Sequence, residues 1–319
     1  MKIFSCLSVA PLLILSSCTS QDSNKIPIAI LTPVTHPSLE QIEKGFKDTM
    51  EAENPGKYRF VTYNAQGNKT LMRGEVEEIA QKGYALVFTI GTTSSQMVTE
   101  VFAKKRLDIP IVFTCVNDPV GFHIVSSEQS PGGQVTGVKE LLDFKKQLDL
   151  ALQFKPDIKT MMLVFNPMEP GLAKDHKEVT AILKERGIKL ITVEVFQTNE
   201  FMTKVSPFME QADAMLVLKD NTVVGGLDTL IKLCNQYRIP LIASDLDSPD
   251  RGAAFGYGVY EVDFGIEGAK KALQILNQQT AAGDIPVTAV SKFAFKINRE
   301  AATCQGIALS LLEKEGVSR

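Results

Sequence analysis

Residues 109–120 read IPIVFTCVNDPV and residues 239–250 read IPLIASDLDSPD. Both begin Ile-Pro, run through an apolar strand to a small hydroxyl residue (Thr114, Ser244), and leave through a polar elbow ending at Pro119 or Pro249. The surrounding chain repeats in step. Residues 85–93 (ALVFTIGTT) are echoed by 214–222 (AMLVLKDNT), and 28–33 (IAILTP) by 162–167 (MLVFNP). The displacements, 109 to 239, 85 to 214 and 28 to 162, are 130, 129 and 134 residues. Short apolar strands alternate with amphipathic helical stretches throughout, the pattern of a mainly parallel sheet covered on both faces. The expected fold is therefore α/β, with two similar doubly wound lobes joined by a hinge. Open sheets of this kind bind ligands beyond the carboxyl ends of their strands. The polar elbows of two facing lobes would line one shared cleft.

A chain of 319 residues exceeds the roughly 250–300 residues at which single cores stop growing, which agrees with two lobes. Hydrophobic residues make up 44% and charged residues 22%, and the formal net charge is −3. That balance, with no stripe of Lys or Arg, argues against a nucleic-acid partner.

Residues 1–17 read as a bacterial lipoprotein signal. Lys2 supplies the charged start, an apolar run follows, and Leu15-Ser16-Ser17-Cys18 closes it in the manner of a lipobox. The run is shorter than the about 20 apolar residues that span a bilayer. Such a signal implies cleavage before Cys18, lipidation of its thiol and an anchor in a membrane, with residues 18–25 as a polar tether. The remaining cysteines, Cys115, Cys234 and Cys304, are too scattered for a disulfide framework or a metal site and are expected to be buried free thiols.

Lobe 1 is expected to comprise residues 26–138 with about 257–288, and lobe 2 residues 139–256 with about 289–319. The chain would cross between them more than once, and these crossings would act as the hinge. Residues 135–138 read as an edge strand. A helix is expected over 199–210, with Pro207 weakening its last turn, and another over 222–237.

The candidate site residues sit at the strand ends. Gly91-Thr92-Thr93-Ser94-Ser95 opens a helix, and free amide N–H groups at a helix start attract an anion such as a carboxylate. Thr93 or Ser94 acting only as a cap is the simpler reading of the same residues. No lysine follows in a phosphate-loop arrangement, which disfavours nucleotide. In the second lobe Asp220-Asn221-Thr222 occupies the matching place; Thr222 or Asn221 would cap the next helix and leave Asp220 for the cleft. Asp245 follows the last repeated strand and offers a carboxylate to an amine. Asn117-Asp118-Pro119 and Asn166-Pro167 are elbows that would meet ligand or simply turn the chain. His36 at the first elbow, Tyr63 and Tyr257 complete the set. The three histidines have neither metal spacing nor a nucleophile, so no metal, cofactor or catalytic residue is expected.

Several stretches resemble one family in order along the mature chain: His36-Pro-Ser-Leu39, Asn64-Ala-Gln-Gly67, residues 109–121, Gly133-Gln-Val-Thr-Gly137, Asp220-Asn-Thr-Val223, Ser244-Asp245 with Arg251-Gly252-Ala253, and Tyr257-Gly258-Val259. They look like the solute-binding lipoproteins of ABC importers, in the branch whose relatives bind aromatic amino acids such as tryptophan or tyrosine. The resemblance implies a type I periplasmic-binding-protein fold, a monomer that closes on a small molecule and docks to a membrane permease. It further implies that the hydroxyls of Thr92 to Ser95 hold the amino acid carboxylate and that Asp220, Asn221 or Asp245 holds its amine. Thr93, Asn117 and Cys115 depart from residues common in relatives, and all three lie on binding loops, so they bear on cargo more than on fold. A sugar or nucleoside carrier, or a ligand-presenting receptor of the same fold, is the alternative. An extracytoplasmic enzyme built on Cys115 or the cleft carboxylates is a remoter one.

Overall fold

The structure, a computed structural model, describes residues 24–308 and Ser310. The leader, Cys18, most of the tether, residue 309 and residues 311–319 lie outside the described residues. The first round of the chain runs β1 (Ile26–Thr32), α1 (Pro37–Glu53), β2 (Tyr58–Asn64), α2 (Lys69–Ile79), β3 (Leu86–Ile90), α3 (Thr92–Lys105), β4 (Ile111–Val116) and β5 (Val135–Lys139). The second runs α4 (Phe144–Phe154), β6 (Thr160–Phe165), α5 (Leu172–Glu185), β7 (Lys189–Glu194), α6 (Phe201–Val205), β8 (Ala214–Val217), α7 (Asn221–Gly225), α8 (Leu227–Tyr237), β9 (Leu241–Ala243), α9 (Ser248–Arg251) and β10 (Phe255–Gly258). The chain ends with α10 (Glu261–Gln278), β11 (Thr288–Ala289), β12 (Ala294–Ile297) and α11 (Arg299–Cys304).

Two six-stranded sheets result, ordered β11-β5-β4-β3-β1-β2 and β12-β10-β9-β8-β6-β7. The repeated stretches occupy equivalent strands, β1 with β6, β3 with β8 and β4 with β9. Every pairing is parallel except β10 with β12, which is antiparallel. Each sheet is buried on both faces, and alternation along a strand divides its side chains between two cores. Ile28 and Ile30 join Phe46, Phe88 and Phe264 under α1 and α10; Ala29 and Leu31 join Val76, Val98 and Phe102 under α2 and α3. In the second lobe Met161 and Leu163 face α4 and α5, whereas Met162 and Val164 face α6 and α8. Helices α1 and α10 cross where neither can carry a side chain: a Cβ on Gly265 would lie 2.0 Å from the Ile42 carbonyl oxygen, and one on Gly45 2.5 Å from that of Val262.

The chain passes between lobes three times, after β5, between β10 and α10, and between β11 and β12. Tyr257, expected with lobe 1, pairs with Phe295 in the second sheet, and its ring stacks on Phe293 at 5.4 Å. Ala289, expected with lobe 2, pairs with Lys139 in the first. Strand β5 is not an edge, because β11 lies outside it; two residues from a distant part of the chain are too short a signal to read in sequence.

The helix expected over 199–210 is broken into a 3-10 turn at Thr198–Glu200, α6, and a second 3-10 stretch at Ser206–Gln211. Pro207 supplies no N–H to continue the α ladder. The helix expected over 222–237 divides into α7 and α8 at Gly226, where a Cβ would meet the Phe201 ring at 2.4 Å. Of the three described cysteines, all free, only Cys234 is buried; Cys115 is partly buried and Cys304 exposed. No described helix is long and apolar enough to cross a membrane.

Candidate functional site

The carboxyl ends of both sheets enclose a cavity of about 90 Å³. Lobe 1 contributes Pro33, His36 and Leu39 from the β1–α1 elbow, Gly91, Thr92 and Thr93 from the start of α3, and Cys115 and Asn117 from the end of β4. Lobe 2 contributes Glu169, Pro170, Leu172 and Asp175 after β6, Asp220, Asn221 and Val224 at α7, and Asp245 after β9. Glu140, Lys219 and Glu261 complete the wall near the crossings.

The start of α3 is a bare helix terminus. Its N-cap is Gly91, held at φ 83°, and no side chain caps it. A residue with a Cβ tolerates that left-handed backbone poorly, and glycine offers the first-turn amides no competing oxygen. Neither Thr93 nor Ser94 caps. Ser95 turns inward, bonding Thr89 Oγ1 at 2.9 Å and the Gly91 carbonyl at 2.7 Å, and Ser94 is fully buried. Of the hydroxyl run, Thr92 and Thr93 reach the cavity; Ser94 and Ser95 do not line it.

The second lobe's carboxylates are largely spent on backbone. Asp220, and not Asn221 or Thr222, caps α7: its Oδ1 accepts from Val223 N at 3.0 Å and its Oδ2 from Asn166 N at 2.6 Å. Burial, and then the neighbouring Glu169 charge, push its carboxyl up to about 7. Glu169 takes the rest of that helix start, accepting from Thr222 N and Oγ1 at 3.0 Å and from Asn221 Nδ2 at 2.9 Å. Asp245 accepts from Asp247 N at 2.9 Å and from the Ser248 amide and hydroxyl. Asn166 donates to Thr222 Oγ1 at 2.9 Å and accepts from Met168 N. Asn166 and Thr222 therefore brace the site from behind and do not line it.

Among the contacts that join the lobes across the mouth, three involve His36, Asn117 and Lys174. His36 Nε2 meets Asn221 Oδ1 at 3.1 Å. Because Asn221 must donate its Nδ2 to Glu169, its oxygen faces His36, and the histidine proton must sit on Nε2. Nδ1 is then a bare acceptor, buried without a partner among the described residues. Burial lowers the His36 pKa, only partly offset by the Asn221 bond. Asn117 Nδ2 donates to Asp175 Oδ1 at 3.4 Å. At the rim Lys174 approaches Asp118 Oδ2 at 3.6 Å, while Asp118 Oδ1 accepts from Gly121 N.

Tyr63 stands away from the cavity. It belongs to the core beneath α2, its hydroxyl 2.9 Å from that of Tyr84 and donating to Glu78 at 3.2 Å. Tyr257 lies at the crossings. Both are half-polar aromatics near strand ends, but strand-end position does not say which face a ring takes.

Glu140, Glu169, Asp175, Lys219 and Glu261 were not singled out in the sequence. Lys219 is flanked by Glu140 and, at 2.7 Å, Glu261, with its ammonium 4.9 Å from the Phe264 ring centroid. Burial opposes its charge, yet the two carboxylates hold its pKa well above the ordinary lysine value. Glu261 is pushed up to about 7, by burial first, despite Lys219. A lysine ending the otherwise apolar run AMLVLK was the available signal, since such a charge needs a buried partner.

No group of described residues is arranged to hold a metal ion. Burial raises the Cys115 pKa well above the usual thiol range, the opposite of an activated nucleophile. The arrangement is suited to gripping a small polar molecule from two sides. The family model for ABC transporter substrate binding proteins matches residues 27–314. The chain belongs to that family. A tyrosine-binding protein of Clostridioides difficile (strain R20291) is 27% identical over 276 residues, covering 86% of this chain and 79% of that protein. An ABC domain from Streptococcus pneumonia in complex with L-Trp superposes with a TM-score of 0.83 at 26% identity, covering 92% of this chain and 99% of that one. The ligand-free, open structure of a substrate binding protein with adhesive properties from Clostridium difficile gives 0.67 at 25% identity, covering 88% and 95%. The substrate-binding family accounts for a cleft that grips from both lobes, and its aromatic amino acid branch is the one this chain resembles.

Proposed function

We propose that this substrate-binding protein closes on a small molecule, an amino acid with an aromatic side chain favoured, and delivers it to the permease of an ABC importer. It would work outside the cytoplasm as a monomer, held to a membrane by lipid on Cys18. The observation that carries the reading is the uncapped start of α3 opening on a cavity, where the amides of the first turn would receive the amino acid carboxylate. Pro33, Leu39, Pro170, Leu172 and Val224 supply apolar wall beside it. Burying an aromatic side chain of about 150–250 Å² would contribute roughly 4–6 kcal/mol, short of the about 8 kcal/mol of micromolar binding. The paired termini must supply the remainder.

Closure is supported by the three contacts across the mouth and by the greater likeness to the L-Trp complex than to the open ligand-free protein, 0.83 against 0.67 at near-equal identity. A ligand favours the closed form only by its differential affinity for it. The test is a thermal-shift panel of amino acids, nucleosides and sugars on the purified chain. At 100 times its dissociation constant a true cargo should add about 2.7 kcal/mol. A response to sugars or nucleosides alone would remove the amino acid assignment while leaving a carrier. Retention of a Cys18→Ser chain in the membrane fraction would remove the lipid anchor.

A further inference from the structure

Six carboxylates line the cavity, and five of them are already answered. Glu169, Asp220 and Asp245 accept from backbone amides, and Glu140 and Glu261 share Lys219. Asp175, on the first turn of α5, is different. It is only 5% exposed, and among the described residues its side chain has the long 3.4 Å contact from Asn117 across the cleft as its one hydrogen bond. The adjacent Lys174 points to the rim, where it approaches Asp118. Asn117, having turned its amide to Asp175, leaves Oδ1 buried without a partner among the described residues.

Asp175 and Asn117, one from each lobe, thus both line the cavity, and between them a carboxylate and a buried carbonyl oxygen have no donor adequate to both. A primary ammonium has three N–H donors and a full charge, and it would satisfy both acceptors at once. We propose that Asp175, together with the side-chain oxygen of Asn117, is the seat for the ammonium group of the cargo and selects amine-bearing ligands over their deaminated analogues. This assignment rests on the amino acid reading above and extends it. The carboxylate would lie on α3 of lobe 1 and the ammonium chiefly on α5 of lobe 2, so that one small zwitterion ties the lobes together. Because Asn117 and Asp175 meet only when the lobes approach, the interaction belongs to the closed form and contributes to closure itself.

The charges around Asp175 sharpen the test. Burial, then Glu140 from the first crossing and Glu178 on its own helix, push its carboxyl up to about 7, against weaker opposition from Lys174 and Asn117. Beyond Glu140 stand Lys219 and Glu261, already paired. An arriving ammonium would lower that pKa and expel a proton near neutral pH.

The experiment is calorimetry on the full chain and on Asp175→Asn, with L-tyrosine and L-tryptophan as probes and the corresponding arylpropionates, which lack the amine, as controls. Asp175→Asn is expected to weaken the amino acids by roughly 100-fold, as loss of one partner of a buried charge pair does, and to leave the arylpropionates within a few-fold. Equal loss for both probe sets, or no loss for either, overturns the assignment. Should the variant fold poorly, the wild-type chain decides. At pH 6.5, in two buffers of different ionisation enthalpy, binding should release a measurable fraction of a proton, and zero release or uptake overturns it. If neither amino acid binds the wild-type chain, the functional reading itself fails and this assignment with it. Binding with an indifferent variant sinks the assignment alone.

Discussion

Gly171 of lobe 2 stands against Asn117 of lobe 1 so closely that a Cβ on Gly171 would lie 2.5 Å from Asn117 Nδ2. Gly171 also adopts φ +90°, a backbone that side chains rarely tolerate. Gly171→Ala should therefore hold the lobes apart at this point. We expect ligand affinity to fall by at least about tenfold, about 1.4 kcal/mol, while far-ultraviolet circular dichroism stays native. Unchanged affinity by calorimetry would mean that the two residues do not meet in the liganded form.

The ion triad at the crossings makes a second prediction. Lys219→Met leaves Glu140 and Glu261 buried beside each other without a cation, and breaking a buried pair typically costs about 3–5 kcal/mol. Denaturant unfolding at pH 7.5 should show a loss of that order, partly recovered at pH 5.5, where Glu261, pushed up to about 7 by burial first, can protonate. A loss that does not change with pH would argue that Lys219 matters only for packing.

Titration of the ligand-free chain follows from the raised carboxyls. Asp175, Asp220 and Glu261 are each pushed up to about 7, whereas unfolded Asp and Glu titrate near about 4. From about pH 4 to about pH 7 the folded state therefore binds more protons than the unfolded one, so these groups lose stability as pH rises. His36 works in the opposite sense, because burial lowers its pKa and its penalty grows below about pH 6.5. Between pH 6.5 and pH 8 the carboxyls dominate, each contributing a little under ~1 kcal/mol. The melting temperature should fall by a few degrees over that interval, and by less in Asp175→Asn. A rise over the same interval would contradict the burial of these groups.

The α1–α10 crossing is a site where backbone meets backbone. Gly265→Ala would place a methyl 2.0 Å from the Ile42 carbonyl oxygen, so the helices must separate at the cost of the Phe46, Phe88 and Phe264 core. Overpacking of this kind costs about 1–3 kcal/mol or more. Urea unfolding should show that loss, whereas Gly74→Ala, an exposed position within α2 that meets nothing within 4 Å, should gain about 0.5–1 kcal/mol from helix propensity alone.

Gly91 and Thr92 were legible because a glycine and hydroxyls directly after a buried strand announce an exposed helix start, and both end in the cavity. Asp220 was legible as a cleft residue, but its role was not: it caps α7 itself, a choice between neighbouring side chains that depends on a turn of backbone. Asp175 and Glu140 are not legible in this way, since one sits within a helical pattern and the other follows a short strand. Neither position carries a local sign that it faces a cavity.

Two similar lobes and their mainly parallel sheets were written in the residues themselves, because apolar periodicity and repeated elbows are properties of short windows of chain. The contacts that give the cleft its chemistry were decided only by tertiary structure: Asn117 with Asp175, His36 with Asn221, and Lys219 with Glu140 and Glu261. These partners lie far apart in sequence. Their meeting depends on the angle between lobes set by three crossings, and no local pattern encodes that angle.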